Sequence, residues 1–164
     1  MKIVEATEEH LFIIQSLSDK IWPPTFADIL TEEQIVYMMD MMYSTDSLKK
    51  QMGELNHHYL LAQEDGEYLG FVSYETNYKE ENITKVHKIY VLPSLHGKGV
   101  GCFFINTVGE IAMKNGNKEL SLNVNRLNKA IDFYKKMGFE IVKTEDIDIG
   151  NGFLMEDYIM NKKL

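Results

Sequence analysis

The segment Ile89-Tyr90-Val91-Leu92-Pro93-Ser94-Leu95-His96-Gly97-Lys98-Gly99-Val100-Gly101 constrains this chain more than any other. An alternating strand stops at a proline, glycines recur at 97, 99 and 101, and a helical apolar stripe follows. Without side chains, these glycines let the backbone turn sharply and approach a ligand closely. The first amides of the following helix have no partners inside it and sit at the positive end of its dipole. Together they form a pocket for a phosphate or diphosphate, to which Lys98 adds a positive charge. Two other phosphate loops do not fit. A P-loop ends in Gly-Lys-Ser/Thr, whereas Lys98 is followed by Gly99. A dinucleotide fold repeats parallel βαβ units, and here the loop follows an antiparallel meander.

The elements around this loop can be read from apolar period and punctuation. Lys2–Glu5 is a short strand. A helix starts after Thr7, with Leu11, Ile13, Ile14, Leu17, Ile21 and Trp22 as its stripe, and Pro23-Pro24 should end it. Thr31-Glu32-Glu33-Gln34 is a capping box opening a helix with Ile35, Met38, Met39 and Met42 on one face. Another short helix is expected over Asp46–Leu55. The period then shortens to that of strands. Tyr59–Ala62 and Tyr68–Glu75 flank Glu64-Asp65-Gly66-Glu67, a hairpin signal, and Ile83–Leu92 is a third strand. A helix over Gly101–Lys114 stops at Gly116, and the strand Glu119–Val124 precedes a helix over Asn128–Met137 that stops at Gly138. Phe139–Thr144 and Phe153–Met160 are strands about Gly150-Asn151-Gly152. Hairpins mixed with crossovers predict an α/β chain, a mixed sheet with helices covering its faces, in one domain over residues 1–164.

Composition narrows the function. The 164 residues are 45% apolar and carry a net charge of −8, which repels a phosphate backbone and argues against nucleic-acid binding. Residues 1–75 hold 14 acidic and 4 basic side chains, and residues 76–164 hold 11 and 13. That division suits a protein handling a cation on one side and an anion on the other, or is ordinary solvated surface. No apolar run reaches membrane-spanning length, and the start, Met1-Lys2-Ile3-Val4-Glu5, lacks the apolar core of a secretory signal. Cys102 is the lone cysteine, and no Cys/His cluster has zinc spacing. A soluble cytoplasmic domain, without membrane attachment or a metal, is expected.

A second segment, Leu122 to Phe139, runs from a strand through polar residues into a short helix that projects Tyr134. Asn125 and Asn128 can each donate and accept hydrogen bonds, as an amide-rich ligand requires, or Asn128 can cap the helix while Tyr134 packs in the core. Taken together, the two segments resemble the GNAT acetyl-coenzyme A-dependent N-acetyltransferases over roughly residues 59–139. His96-Gly97-Lys98-Gly99-Val100-Gly101 is similar to the family's Arg/Gln-x-x-Gly-x-Gly/Ala loop, with His96 in place of Arg or Gln. Asn125 to Phe139 keeps the order Asn, Ala, Tyr, Gly-Phe of its second motif.

The resemblance implies a twisted, splayed, mostly antiparallel mixed sheet and acetyl-CoA as co-substrate. It implies that Ile89, Tyr90 and Val91 pair with the pantetheine arm, and that His96, Gly97, Lys98, Gly99, Val100 and Gly101 hold the diphosphate. Asn125, Asn128 and Lys129 would flank the pantetheine or nucleotide, and Tyr134 would protonate the departing thiolate. The attacking amine must be neutral, so its proton needs an acceptor, and the developing oxyanion needs a donor worth ~3–4 kcal/mol in comparable sites. His87, on the strand face of Ile89 and Val91, and Glu75, near the end of its strand, are the two candidate bases.

The acceptor is the least determined part. Trp22, Phe26 and Asp28 open a stretch that resembles bacterial diamine and polyamine acetyltransferases, and aromatic faces beside carboxylates attract a polycation. A small amine or polyamine is one expectation and a protein N-terminus or lysine a second. A non-catalytic acetyl-CoA sensor is a third. Homodimers are common in the family, and the sequence does not specify one.

Overall fold

Burial, more than propensity, sets the first long helix. The computed structural model describes residues 1–164. After a first strand, β1 (Lys2–Glu5), and a 3-10 turn capped by Thr7, helix α1 spans Leu11–Phe26. It runs through Pro23 and Pro24, where the sequence predicted its end. The two prolines remove bonds to the carbonyls of Asp19 and Lys20, both exposed residues whose carbonyls water can serve. Ile21, Trp22 and Phe26 on the other side are buried, and their packing holds the last turn in register. Helix α2 (Glu32–Tyr43) starts where the capping box places it, with the Thr31 side chain accepting from the Gln34 amide. Helix α3 is Thr45–Met52, shorter than expected and capped by Ser44.

Strands β2 (His58–Glu64), β3 (Glu67–Glu75) and β4 (Ile83–Val91) follow, then α4 (Val100–Lys114), β5 (Glu119–Asn125), α5 (Ala130–Lys136), β6 (Glu140–Gly150) and β7 (Phe153–Lys163). The strand order is β1-β2-β3-β4-β5-β7-β6 in one seven-stranded sheet. The β4–β5 ladder is parallel, whereas β1–β2, β2–β3, β5–β7 and β6–β7 are antiparallel. This is the mixed α/β sheet expected. The last hairpin is longer than the sequence suggested, because Gly150, Asn151 and Gly152 all take positive φ and carry the two strands to their full length.

The chain falls into two compact units: Met1–Glu75 with His87–Thr107, and Thr76–Val86 with Val108–Leu164. In the first, α1, α2 and the strands enclose an aromatic core of Trp22, Phe26, Tyr43, Phe71 and Tyr90. Trp22 lies 4.4 Å from Phe26 and 5.6 Å from Tyr90 between ring centroids, and its Nε1 donates to the Tyr43 hydroxyl at 3.0 Å. A bulge in the β2–β3 ladder, where pairing steps from Ala62–Gly70 to Gln63–Tyr68, leaves Leu69 unmatched. The Leu69 carbonyl accepts instead from the Leu92 amide, anchoring the end of β4. In the second unit, Leu120, Leu122, Tyr134, Phe139 and Met160 are buried. Asn117, also buried, accepts from the Thr84 hydroxyl at 2.6 Å and the Asn77 amide at 3.0 Å.

Candidate active site

At Gly97 and Gly99 the loop has the geometry its spacing predicts, whereas Gly101, expected to turn the chain too, lies within helix α4. Gly97 and Gly99 have φ of +79° and +89°, a region that other residues adopt only with strain. A Cβ built on either would meet no atom within 4 Å, so the turn presents bare backbone to open space. Helix α4 begins one residue earlier than expected, at Val100, and the Phe103 amide closes its first turn on the Gly99 carbonyl. The amides of Gly99, Val100 and Gly101 therefore precede the first intrahelical partner. His96 Nε2 bonds the Val91 carbonyl at 3.0 Å, which ties the loop to the end of β4. Lys98 is exposed, and Ile89 and Tyr90 on β4 are half-buried.

The two candidate bases are one cluster. Glu75 closes β3 and His87 lies on β4, and His87 Nε2 sits 3.0 Å from Glu75 Oε1. A third residue, His57, enters from the loop before β2, with Nε2 3.7 Å from the same oxygen. The imidazoles of His57 and His87 stack at 3.8 Å with 13° between their planes. His57 Nδ1 is buried without a hydrogen-bond partner. Burial, aided by the nearby positive charges of His87 and Lys88, pushes the His57 pKa down to about 4. Sequence reasoning missed His57, although the His57-His58 pair just before a strand was a signal: one of two adjacent residues there must face the sheet interior.

Lys88 was missed as well. It follows His87, so it points to the opposite face of β4, into the aromatic core. Its Nζ donates to Gln51 Oε1 at 2.7 Å, beside the Tyr59 hydroxyl that donates to the same oxygen at 2.5 Å. The ammonium lies over the Tyr43 and Tyr59 rings at 5.7 and 5.6 Å. Burial pushes its pKa down to about 7. A cavity of about 520 Å³ opens beside it, with walls that include Met41, Met42, Leu55, Lys50, His57 and Lys88.

The aromatic acceptor wall expected from the sequence is core. Trp22 is 2% and Phe26 5% exposed, both within the aromatic cluster, and Asp28 is exposed on the turn after α1. In the second unit the asparagines serve the backbone. Asn125 Oδ1 accepts from the Leu127 amide, and Asn128 Oδ1 from the Ala130 amide, each at 2.9 Å. Lys129 is exposed. Tyr134 packs edge-on against Phe133 and Phe139, and burial raises its pKa, which keeps it a phenol at neutral pH.

The whole backbone follows a known architecture. PaiA N-acetyltransferase from Thermoplasma acidophilum, solved in complex with coenzyme A, matches with a TM-score of 0.82 and 27% identity, over 99% of this chain and 98% of that one. The acetyltransferase (GNAT) family pattern matches residues 15–139, and the chain belongs to this family. An uncharacterized N-acetyltransferase of Methanocaldococcus jannaschii is 34% identical over 87 residues, 50% of this chain and 38% of that protein. One from Archaeoglobus fulgidus is 32% identical over 80 residues, 46% of this chain and 54% of that protein. The match thus spans about half or less of each of these curated relatives.

Proposed function

We propose that this protein is an acetyl-CoA-dependent N-acetyltransferase that acylates a small primary amine by direct attack. The observation that carries this reading is the glycine turn: Gly97 and Gly99 at positive φ, with open space where side chains would stand, at the start of α4. In this reading the loop amides between Gly97 and Gly101 hold the coenzyme diphosphate, except that of Lys98, which donates to the Leu95 carbonyl. The main chain of Ile89–Val91 pairs with the pantetheine arm. In support, the β4–β5 ladder ends at Val86–Leu122, although β4 continues to Val91. Family membership and the coenzyme A complex of the Thermoplasma relative support the same co-substrate.

The chemistry follows from the cluster. The neutral amine attacks the thioester carbonyl, its excess proton passes to the His87–Glu75 pair, and the carbon–sulfur bond breaks. The Glu75 carboxylate, 3.0 Å from His87 Nε2, stabilises the imidazolium formed as His87 takes that proton. Tyr134, held as a phenol, donates its proton to the leaving thiolate. Asn125, Asn128 and Lys129 flank the coenzyme in the same reading.

For the acceptor, the acidic first half supports a cationic amine, and Asp28, Glu32, Glu33 and Asp40 are the carboxylates that would draw a polyamine. In the cavity wall Lys50 and Lys88 stand against a single carboxylate, Asp46, which works against a polycation there. A monoamine with an apolar body fits Met41, Met42 and Leu55 better. The test is calorimetric titration of acetyl-CoA into the protein and its Gly99→Val variant, with acetylated product read by mass spectrometry across monoamines, spermidine and short peptides. Loss of coenzyme binding in Gly99→Val supports the loop assignment, and unchanged affinity overturns it. Spermidine outperforming every monoamine would restore the polyamine reading.

A further inference from the structure

The cluster of His57, Glu75 and His87 has a property the transfer reaction does not use. Two imidazole nitrogens and one carboxylate oxygen, from three separate segments, all lie within 4.8 Å of one another. We propose that these residues form a binding site for a borderline divalent transition metal of the Zn²⁺ type, and that occupancy switches the enzyme off.

The donor set selects the ion. Two neutral imidazoles and one carboxylate suit zinc or cobalt, whereas calcium and magnesium take oxygen shells. In a tetrahedral zinc shell, bonds of about 2.0–2.2 Å place neighbouring donors about 3.3–3.6 Å apart. The two nitrogens stand 3.0 and 3.7 Å from Glu75 Oε1, on either side of that spacing. The rings now stack nearly parallel, so coordination requires both side chains to rotate until their in-plane lone pairs converge on one ion.

Without an ion the arrangement is poorly satisfied. Two imidazoles share one carboxylate oxygen, the His57 contact is long, and the other His57 nitrogen is buried with no partner. An ion bridging the three groups would hold the His57 ring through Nε2, where only a long contact to Glu75 holds it now. His57 also lines the 520 Å³ cavity, which provides an entry path and room for a water or substrate atom as a fourth ligand.

The switch half of the proposal rests on the assignment of His87 and Glu75 as the proton acceptor. A metal occupying both would leave the attacking amine with nowhere to send its proton. The site itself does not depend on that assignment.

The test uses the full chain, stripped with EDTA and free of coenzyme, titrated with Co²⁺ and followed by visible d–d absorption and calorimetry. One equivalent should bind, and zinc should displace it. His57→Asn and Glu75→Gln should each weaken binding by at least about tenfold, as even outer-shell changes cost ~10–100-fold at such sites. His58→Asn is the control, since His58 stacks on Tyr74. Unchanged cobalt affinity in both ligand variants, or no absorption change at all, would overturn the site. Should the variants misfold, the unsubstituted protein still decides: zinc should protect His57 and His87 from diethylpyrocarbonate, and equal modification with and without zinc would refute it. Acetylated product should fall as zinc fills the site. One-to-one binding through the triad with full activity would uphold the site while overturning both the switch and the proton-acceptor role.

Discussion

Gly70→Ala tests how closely β3 and β4 approach each other. A Cβ at Gly70 would stand 2.4 Å from the Tyr90 carbonyl oxygen and 3.0 Å from Val91 Cα, both backbone atoms. Unstrained contacts need roughly 3.5 Å, so one strand must move by about 1 Å. Overpacking of this kind costs ~1–3 kcal/mol, and with no flexible side chain to yield, the upper end applies. The alanine also stiffens the unfolded chain, which offsets ~0.4–1 kcal/mol. The net loss is about 2 kcal/mol. For a chain of this length, each kcal/mol shifts Tm by ~2–4 °C, so a fall of about 4–8 °C is expected by calorimetry. Gly109→Ala is the matched control. Gly109 lies inside α4, and its Cβ would meet only Leu164 Cδ2 at 3.5 Å, an ordinary contact. That change should stabilise by ~0.5–1 kcal/mol. A Gly70→Ala protein that melts at or above the parent would refute the close-approach argument. The displaced Tyr90–Val91 backbone should also weaken acetyl-CoA binding, measured in the same samples below the transition.

Two further outcomes are expected. Tyr134→Phe should lower kcat far more than it weakens acetyl-CoA binding, and equal loss in both would remove its acid role. Lys88→Met should make the protein more stable at pH 7, by on the order of a few kcal/mol, in urea unfolding with EDTA present. The sign follows from burial, which lowers the folded pKa from 10.5 to about 7. Below about pH 7 the folded state carries the full cost of a buried ammonium. From about pH 7 upward the unfolded chain holds a proton that the folded one has released, so stability rises with pH. The variant should lose that rise between about pH 7 and 9, and an unaltered slope would contradict the assignment.

Local chemistry was legible where it depends on neighbours in sequence. The turn at Gly97 and Gly99, the Thr31 cap and the Asn128 side-chain bond to the Ala130 amide each need residues only a few positions apart, and each forms as its residues dictate. The prolines were misread for the same reason. Their local penalty is real, and the packing of Trp22 and Phe26 that outweighs it involves Tyr43 and Tyr90, far along the chain. The burial of Trp22 and Phe26 was illegible on that point too, since an aromatic residue near carboxylates in sequence says nothing about which side of a helix the core will claim.

What the sequence determined alone was the backbone-dictated half of the protein: the turn of alternating glycines, the order of strands and helices, and through them the family. What only the tertiary structure decided was which side chains meet. His57, Glu75 and His87 are scattered over 31 positions and converge because β2, β3 and β4 are neighbours in the sheet. Lys88 is buried, and its neighbour His87 is not, because a strand sends successive side chains to opposite faces and the aromatic core occupies only one of them. Backbone conformation is set within a few residues, whereas burial and charge proximity are set by whatever the fold brings alongside.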